Sequence, residues 1–191
     1  MSGLALTTGD GPGKPVRLAY GEAPAAVVAA CAGVPRPVVL VDGGSGAGKT
    51  SLAALVAEAW EHPRPLRTVS LDELYPGWSG LAAASEQLPR LLGPQPGYRR
   101  WDWARCAPAG WVPVDPEQAL LVEGCGALTR ESSPLATLRV WVELDAEARK
   151  ARALARDQGG FDPYWQVWAD QEHDHWRRNQ PWQLADLTVI V

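Results

Sequence analysis

The stretch VDGGSGAGKT, residues 41–50, decides the fold. It closes an aliphatic run, PVVLVD (37–42), and leads directly into KTSLAALVAEAW (49–60). The first segment is continuously apolar, the mark of a strand buried on both faces. The second has the apolar spacing of a helix. Between them, Gly43-x4-Gly48-Lys49-Thr50 satisfies the full phosphate-loop pattern, in the strand-to-helix setting that the pattern requires. Glycines let the chain curl until successive N–H groups point into one hollow. The helix start adds the positive end of its dipole.

A loop of this kind, made of Gly43, Gly44, Ser45, Gly46, Ala47, Gly48, Lys49, Thr50 and Ser51, is expected to hold the phosphates of ATP. Lys49 supplies a point charge for the β- and γ-phosphates, and the Thr50 hydroxyl is a ligand for Mg²⁺. The alternative is a glycine-rich turn without a ligand.

Working outward, four further runs read as buried strands: LRTVSLD (66–72), ALLVEG (119–124), LRVWVELD (138–145) and ADLTVIV (185–191). Helices are expected over 22–33, 80–92 with a proline break late in it, 146–158 and 163–178. The segment 93–116 reads mostly as loop with a short hairpin. Strands alternate with helices, so the expected fold is α/β: a three-layer α/β/α sandwich around a five-stranded parallel sheet. Residues 1–191 form one domain, with a loose N-terminal segment over 1–20.

Composition narrows the partners. A net charge of -4 argues against general nucleic-acid binding, which wants a strongly basic face. No apolar run approaches the roughly 20 residues that span a membrane, and the first residues do not read as a signal peptide. Cys31, Cys106 and Cys125 are scattered and odd in number, which fits a reducing cytoplasmic setting. The expected partner is a small molecule. Ten tryptophans against one phenylalanine are unusual, and two of them fall in GYRRWDWARCAP (97–108).

Four groups of residues can carry chemistry. Asp72 ends the second strand, where ligands of parallel sheets bind, and can accept the proton of an attacking hydroxyl. It can equally cap the next turn, and Glu73 competes for the role. GYRRWDWARCAP (97–108) offers flat aromatic faces from Tyr98, Trp101 and Trp103, with Asp102 for hydroxyls and Arg99 and Arg100 for an anionic group. A hairpin closing a small core is the competing reading. Glu123 ends the third strand and can hold Mg²⁺ through water, with Asp42 as a second candidate or a turn former. Arg149, Arg152 and Arg156 share one helix face by their i,i+3 and i,i+4 spacing. His173 and His175 are two apart on a helix, so they read as part of a solvated face rather than a metal site.

GGSGAGKT together with LDELY resembles the uridine kinase family of P-loop kinases, related to phosphoribulokinase and bacterial pantothenate kinase. LDELYPGW and YRRWDW are similar to actinobacterial-type members of that family. The resemblance implies a P-loop NTPase fold of the nucleoside and nucleotide kinase type with a small lid at about 156–165. It implies ATP-dependent phosphoryl transfer to an alcohol, with Asp72 as base, Tyr75 as the aromatic nearby and Trp101-Asp102-Trp103 on the acceptor. The pattern Arg-x-x-Arg-x-x-x-Arg-Asp matches Arg149, Arg152, Arg156 and Asp157, and it implies that Arg152 and Arg156 neutralise charge developing on the phosphates. Two departures stand out. ARCAP occupies the place of the family's usual histidine, and QGGFDP replaces a second basic cluster.

Overall fold

The computed structural model describes residues 14–156 and 159–191. In chain order the elements are β1 (Val16–Ala19), α1 (Ala23–Cys31), β2 (Val38–Asp42), α2 (Lys49–Glu58), β3 (Leu66–Ser70), α3 (Leu81–Ser85), α4 (Leu88–Leu91), β4 (Gly97–Asp102), β5 (Ala107–Pro113), β6 (Ala119–Glu123), β7 (Leu138–Glu143), α5 (Ala146–Arg156), α6 (Trp165–Asn179), α7 (Pro181–Leu184) and β8 (Leu187–Ile190). Six strands form one sheet in the order β1-β8-β7-β2-β6-β3, and β4 and β5 form a separate antiparallel hairpin. Every pairing in the large sheet is parallel.

The sheet therefore has six strands rather than five. The sixth is Val16–Ala19, inside the stretch expected to be loose; it pairs with β8 at the edge. Four residues with alternating half-burial are too few to show a period. Residues 1–13 of that stretch, and 157–158 of the expected lid, lie outside the described residues.

Side-chain alternation divides the core between the two faces of the sheet. Val39 and Val41 join Leu121, Val140, Val142, Leu187 and Val189 beneath α1 and α2. Val38 and Leu40 join Val69, Leu120, Val122 and Trp141 on the other face, against α3, α4 and α6. Strands β2 and β6 are buried at every residue, the reason their sequences run apolar without a break. The expected helix over 80–92 is two short ones. They part at residues 86–87, and Pro89 sits in the first turn of α4, where its missing N–H loses nothing.

From β2 the chain moves to β3 and β6 on one side, then to β7 and β8 on the other. The order reverses around β2, so a crevice opens at its carboxyl end. Among the described residues, no helix is long and apolar enough to cross a membrane.

Candidate active site

The glycine loop fills that crevice. Helix α2 starts after Gly48, which is left-handed at φ 99°. Lys49 is 8% exposed. Its Nζ donates to the carbonyls of Gly43 (2.8 Å) and Gly44 (3.0 Å) and toward Cys125 Sγ at 3.3 Å. Burial alone would lower the pKa of this ammonium; Cys125, Glu123, Glu172 and Asp42 around it reverse the sign and raise it. The Lys49 charge is thereby secured.

Next to it, Thr50 Oγ1 donates to Glu123 Oε1 at 3.2 Å. Glu123 is 2% exposed, and burial pushes its carboxyl up, opposed chiefly by Lys49. A hydroxyl and a carboxylate side by side are hard oxygen donors of the kind Mg²⁺ takes beside phosphate oxygens and water. Asp42 has no such freedom. It is fully buried, and its oxygens accept from the N–H groups of Gly43 (2.7 Å), Gly126 (3.1 Å) and Leu128 (2.8 Å). It is a structural anchor for the start of the loop.

Behind the loop stands a network that local reading missed. Glu172 of α6 is 2% exposed. Its Oε1 accepts from the Ser45 backbone N–H (2.7 Å), Trp168 Nε1 (3.1 Å) and Cys125 Sγ (3.3 Å). Arg149 of α5 reaches Glu172 Oε2 at 3.4 Å and the Ser45 carbonyl at 3.2 Å. One carboxylate and one guanidinium thus fix the loop to α5 and α6. Gly44 and Gly46 permit this approach: a Cβ at either would overlap Arg149, its guanidinium in the first case and its backbone carbonyl in the second.

His175 corrects an expectation. It is 6% exposed, and its Nε2 lies 3.0 Å from Asp42 Oδ2. Only His173 of the pair faces solvent, edge-on to Trp176. Trp168, Glu172 and His175 follow i, i+4, i+7 along one stripe of α6.

In front of the loop lies a cavity of about 520 Å³. It gathers Ser45, Gly46, Lys49, Thr50, Asp72, Tyr75, Trp101, Trp103, Glu123 and Arg156 from five separate parts of the chain. Trp103 Nε1 donates to the Asp72 backbone carbonyl at 2.7 Å, so the hairpin positions this turn. Tyr75 is buried as a wall residue, its hydroxyl bound to the Cys125 carbonyl at 2.8 Å. Trp78, Phe161 and Trp168 complete the wall. Trp78 stacks on Phe161 at 5.2 Å and Tyr164 at 4.6 Å and meets Trp103 at 4.9 Å, which ties the hairpin to the segment between α5 and α6.

Other expected site residues fall outside this cavity. Tyr98 is buried behind it and donates to Glu73 Oε2 at 2.8 Å, which ties up the competing carboxylate. Arg100 is exposed on the hairpin. Asp102 Oδ1 accepts from the Arg105 N–H at 3.0 Å and so caps the hairpin turn. Arg152 is exposed on the far side of the loop, where its charge reaches Tyr20. Tyr20, from the edge strand's exit, donates to the Gly48 carbonyl at 2.9 Å.

Two solved structures share the fold of this chain. A protein from Bacillus stearothermophilus with the provisional designation of uridine kinase aligns at TM-score 0.56 and 18% identity, over 82% of this chain and 89% of its own. A protein from Silicibacter sp. TM1040, provisionally designated a fructose transport system kinase, aligns at TM-score 0.52 and 18% identity, over 90% and 98%. The chain shares the α/β fold of these two proteins. No family model matches the sequence, and no curated protein does.

Proposed function

We propose that the chain is an ATP-dependent small-molecule kinase that transfers the γ-phosphoryl group to a hydroxyl, with a nucleoside as the leading acceptor class. The observation that carries this reading is the shared cavity. One cavity is lined by Lys49, Thr50 and Glu123, by Asp72, and by the rings of Tyr75, Trp78, Trp101, Trp103, Phe161 and Trp168. Generic phosphate hydrolysis has no use for a tryptophan-walled chamber next to the loop.

In this reading the loop N–H groups and Lys49 bind the phosphates. Asp72 accepts the proton of the acceptor hydroxyl while that oxygen forms a bond to the γ-phosphorus. The bond from that phosphorus to the bridging oxygen breaks, and ADP leaves with the electron pair. Thr50 and Glu123 would hold Mg²⁺, which supplies charge neutralisation and orientation to the phosphates. Arg156 contributes positive charge from the lid side. Catalysis is then positioning and electrostatics, without a covalent intermediate on the protein.

The test is ATP consumption with and without a panel of nucleosides, sugars and pantothenate-like alcohols, with mass spectrometry of the products. A phosphorylated acceptor establishes the kinase and names its substrate. Consumption indifferent to every acceptor would overturn the reading in favour of a nucleotide hydrolase.

A further inference from the structure

The largest cavity among those described is not the one in front of the loop. A hollow of about 790 Å³ lies on the opposite side, over the β1-β8-β7 part of the sheet, and reaches the back of the loop at Gly44. Three tryptophans line it. Trp141 is set edge-to-face against Trp176 at 6.1 Å and Trp182 at 5.9 Å. The register places Trp141, Thr188 and Arg17 side by side on neighbouring strands, with Lys14 just before β1. Thr188 is 4% exposed and lines the hollow, yet its hydroxyl makes no hydrogen bond among the described residues. A hydroxyl that opens into the hollow with its donor and acceptor capacity unused by the protein is available to a ligand.

Charge selects the occupant. Lys14, Arg17 and Arg149 line the hollow with one acid, Glu143; Arg17 pairs with Glu143 at 3.4 Å and Arg149 with Glu172 behind it at 3.4 Å, while Lys14 pairs with no acid among the described residues and is the charge offered to an anion. Aromatic faces favour a flat ring, and the cationic rim favours an anion. We propose that this hollow is a second ligand site, distinct from the phosphate-binding face of the loop, for a planar aromatic anion whose polar group reaches the Thr188 hydroxyl. Arg149, which lines the hollow and holds Glu172 and Ser45 behind the loop, is the residue the two sites share. Binding here does not depend on the kinase reading.

The probe is 1-naphthyl phosphate, titrated into the whole chain and followed by ¹⁵N indole NMR, with signals assigned by single Trp→Phe replacements. Saturable shifts of the Trp141, Trp176 and Trp182 signals are expected. The neutral 1-naphthylmethanol should bind at least about tenfold more weakly. Thr188→Val keeps shape and β-propensity and so keeps the fold; it should weaken binding about fivefold, the worth of one hydrogen bond. Trp182→Ala, at an exposed position, should weaken it further. Shifts confined to Trp78, Trp101, Trp103 and Trp168, shifts that never saturate, or affinity unchanged in both variants would each overturn the proposal.

Discussion

At the residue scale, the site divides labour between groups that must be charged and one whose charge is conditional. Among the described residues, Asp72 is the one cavity carboxylate whose side chain has no structural duty, since Glu73 serves Tyr98 and Glu123 serves Thr50. Asp72→Asn is expected to lower phosphoryl transfer by roughly 10²–10⁴-fold, the usual worth of a general base, with nucleotide affinity within a few fold. Normal turnover would remove Asp72 from the mechanism. Lys49→Ala should lose both turnover and about tenfold or more in nucleotide affinity, because a charge-assisted contact is worth roughly 1.5–3 kcal/mol; calorimetric titration of ADP checks it. Glu123 is the conditional group. Burial raises its carboxyl, so the folded chain holds this proton more tightly than the unfolded chain. It adds stability below the ordinary carboxylate range and loses that stability as pH rises through its raised folded value. Mg²⁺ needs the ionised form. Mg²⁺-dependent nucleotide binding should therefore fall on acidification while ordinary carboxylates are still charged. Glu123→Gln should bind weakly at all pH and lack that step.

At the scale of elements, the loop is a strand-to-helix turn that two helices press from behind. Gly46 has φ +80°, and a side chain there would meet the Arg149 carbonyl, which belongs to the α5 backbone and cannot swing aside. Gly46→Ala should destabilise by about 1–3 kcal/mol, read as a drop of a few degrees in the thermal midpoint. An unchanged melt would show that α5 yields easily. The same elements show what could be read from the chain alone. The position of the loop, Asp72 and Glu123 on one cavity is legible because its signal is local: glycines at fixed spacing, and acids where strands end. Glu172 was not. Its main partner, Ser45, is 127 residues away. Its stripe on α6, Trp168-Glu172-His175, has helical spacing, but two polar members hide it from a search for apolar period. Asp102 was assigned to an acceptor where a turn-capping role, common for Asp in loops, is what the hairpin shows.

At the scale of the molecule, the alternation of strands and helices was enough to give a three-layer α/β fold with a parallel sheet, and the central strands announced themselves by unbroken apolar runs. The edge did not, because β1 is short and half-exposed. Nor did the aromatic seam. Trp78, Trp103, Phe161 and Tyr164 come from three distant segments and meet only in the folded chain. That seam joins the hairpin to the segment between α5 and α6, and each ring contact is worth about 0.5–1.5 kcal/mol beyond its buried area. Trp78→Ala should lower thermal stability and raise KM for the acceptor more than KM for ATP, since Trp78 lines the cavity and touches Trp103 and Phe161 of its wall, but bonds to no residue of the loop. Equal rises in both would show that the seam shapes the whole cleft.

The three cysteines are unequal. Cys31 and Cys125 are buried and their thiols are pushed up by burial, to about 11 and about 12, while Cys106 is exposed at the hairpin turn. Only a thiolate attacks disulfide reagents readily. The native protein should accept a single thiol-directed label, at Cys106, without any engineered change. Such a label would sit on the segment that carries Trp101 and Trp103, and would report hairpin movement directly in the unaltered chain.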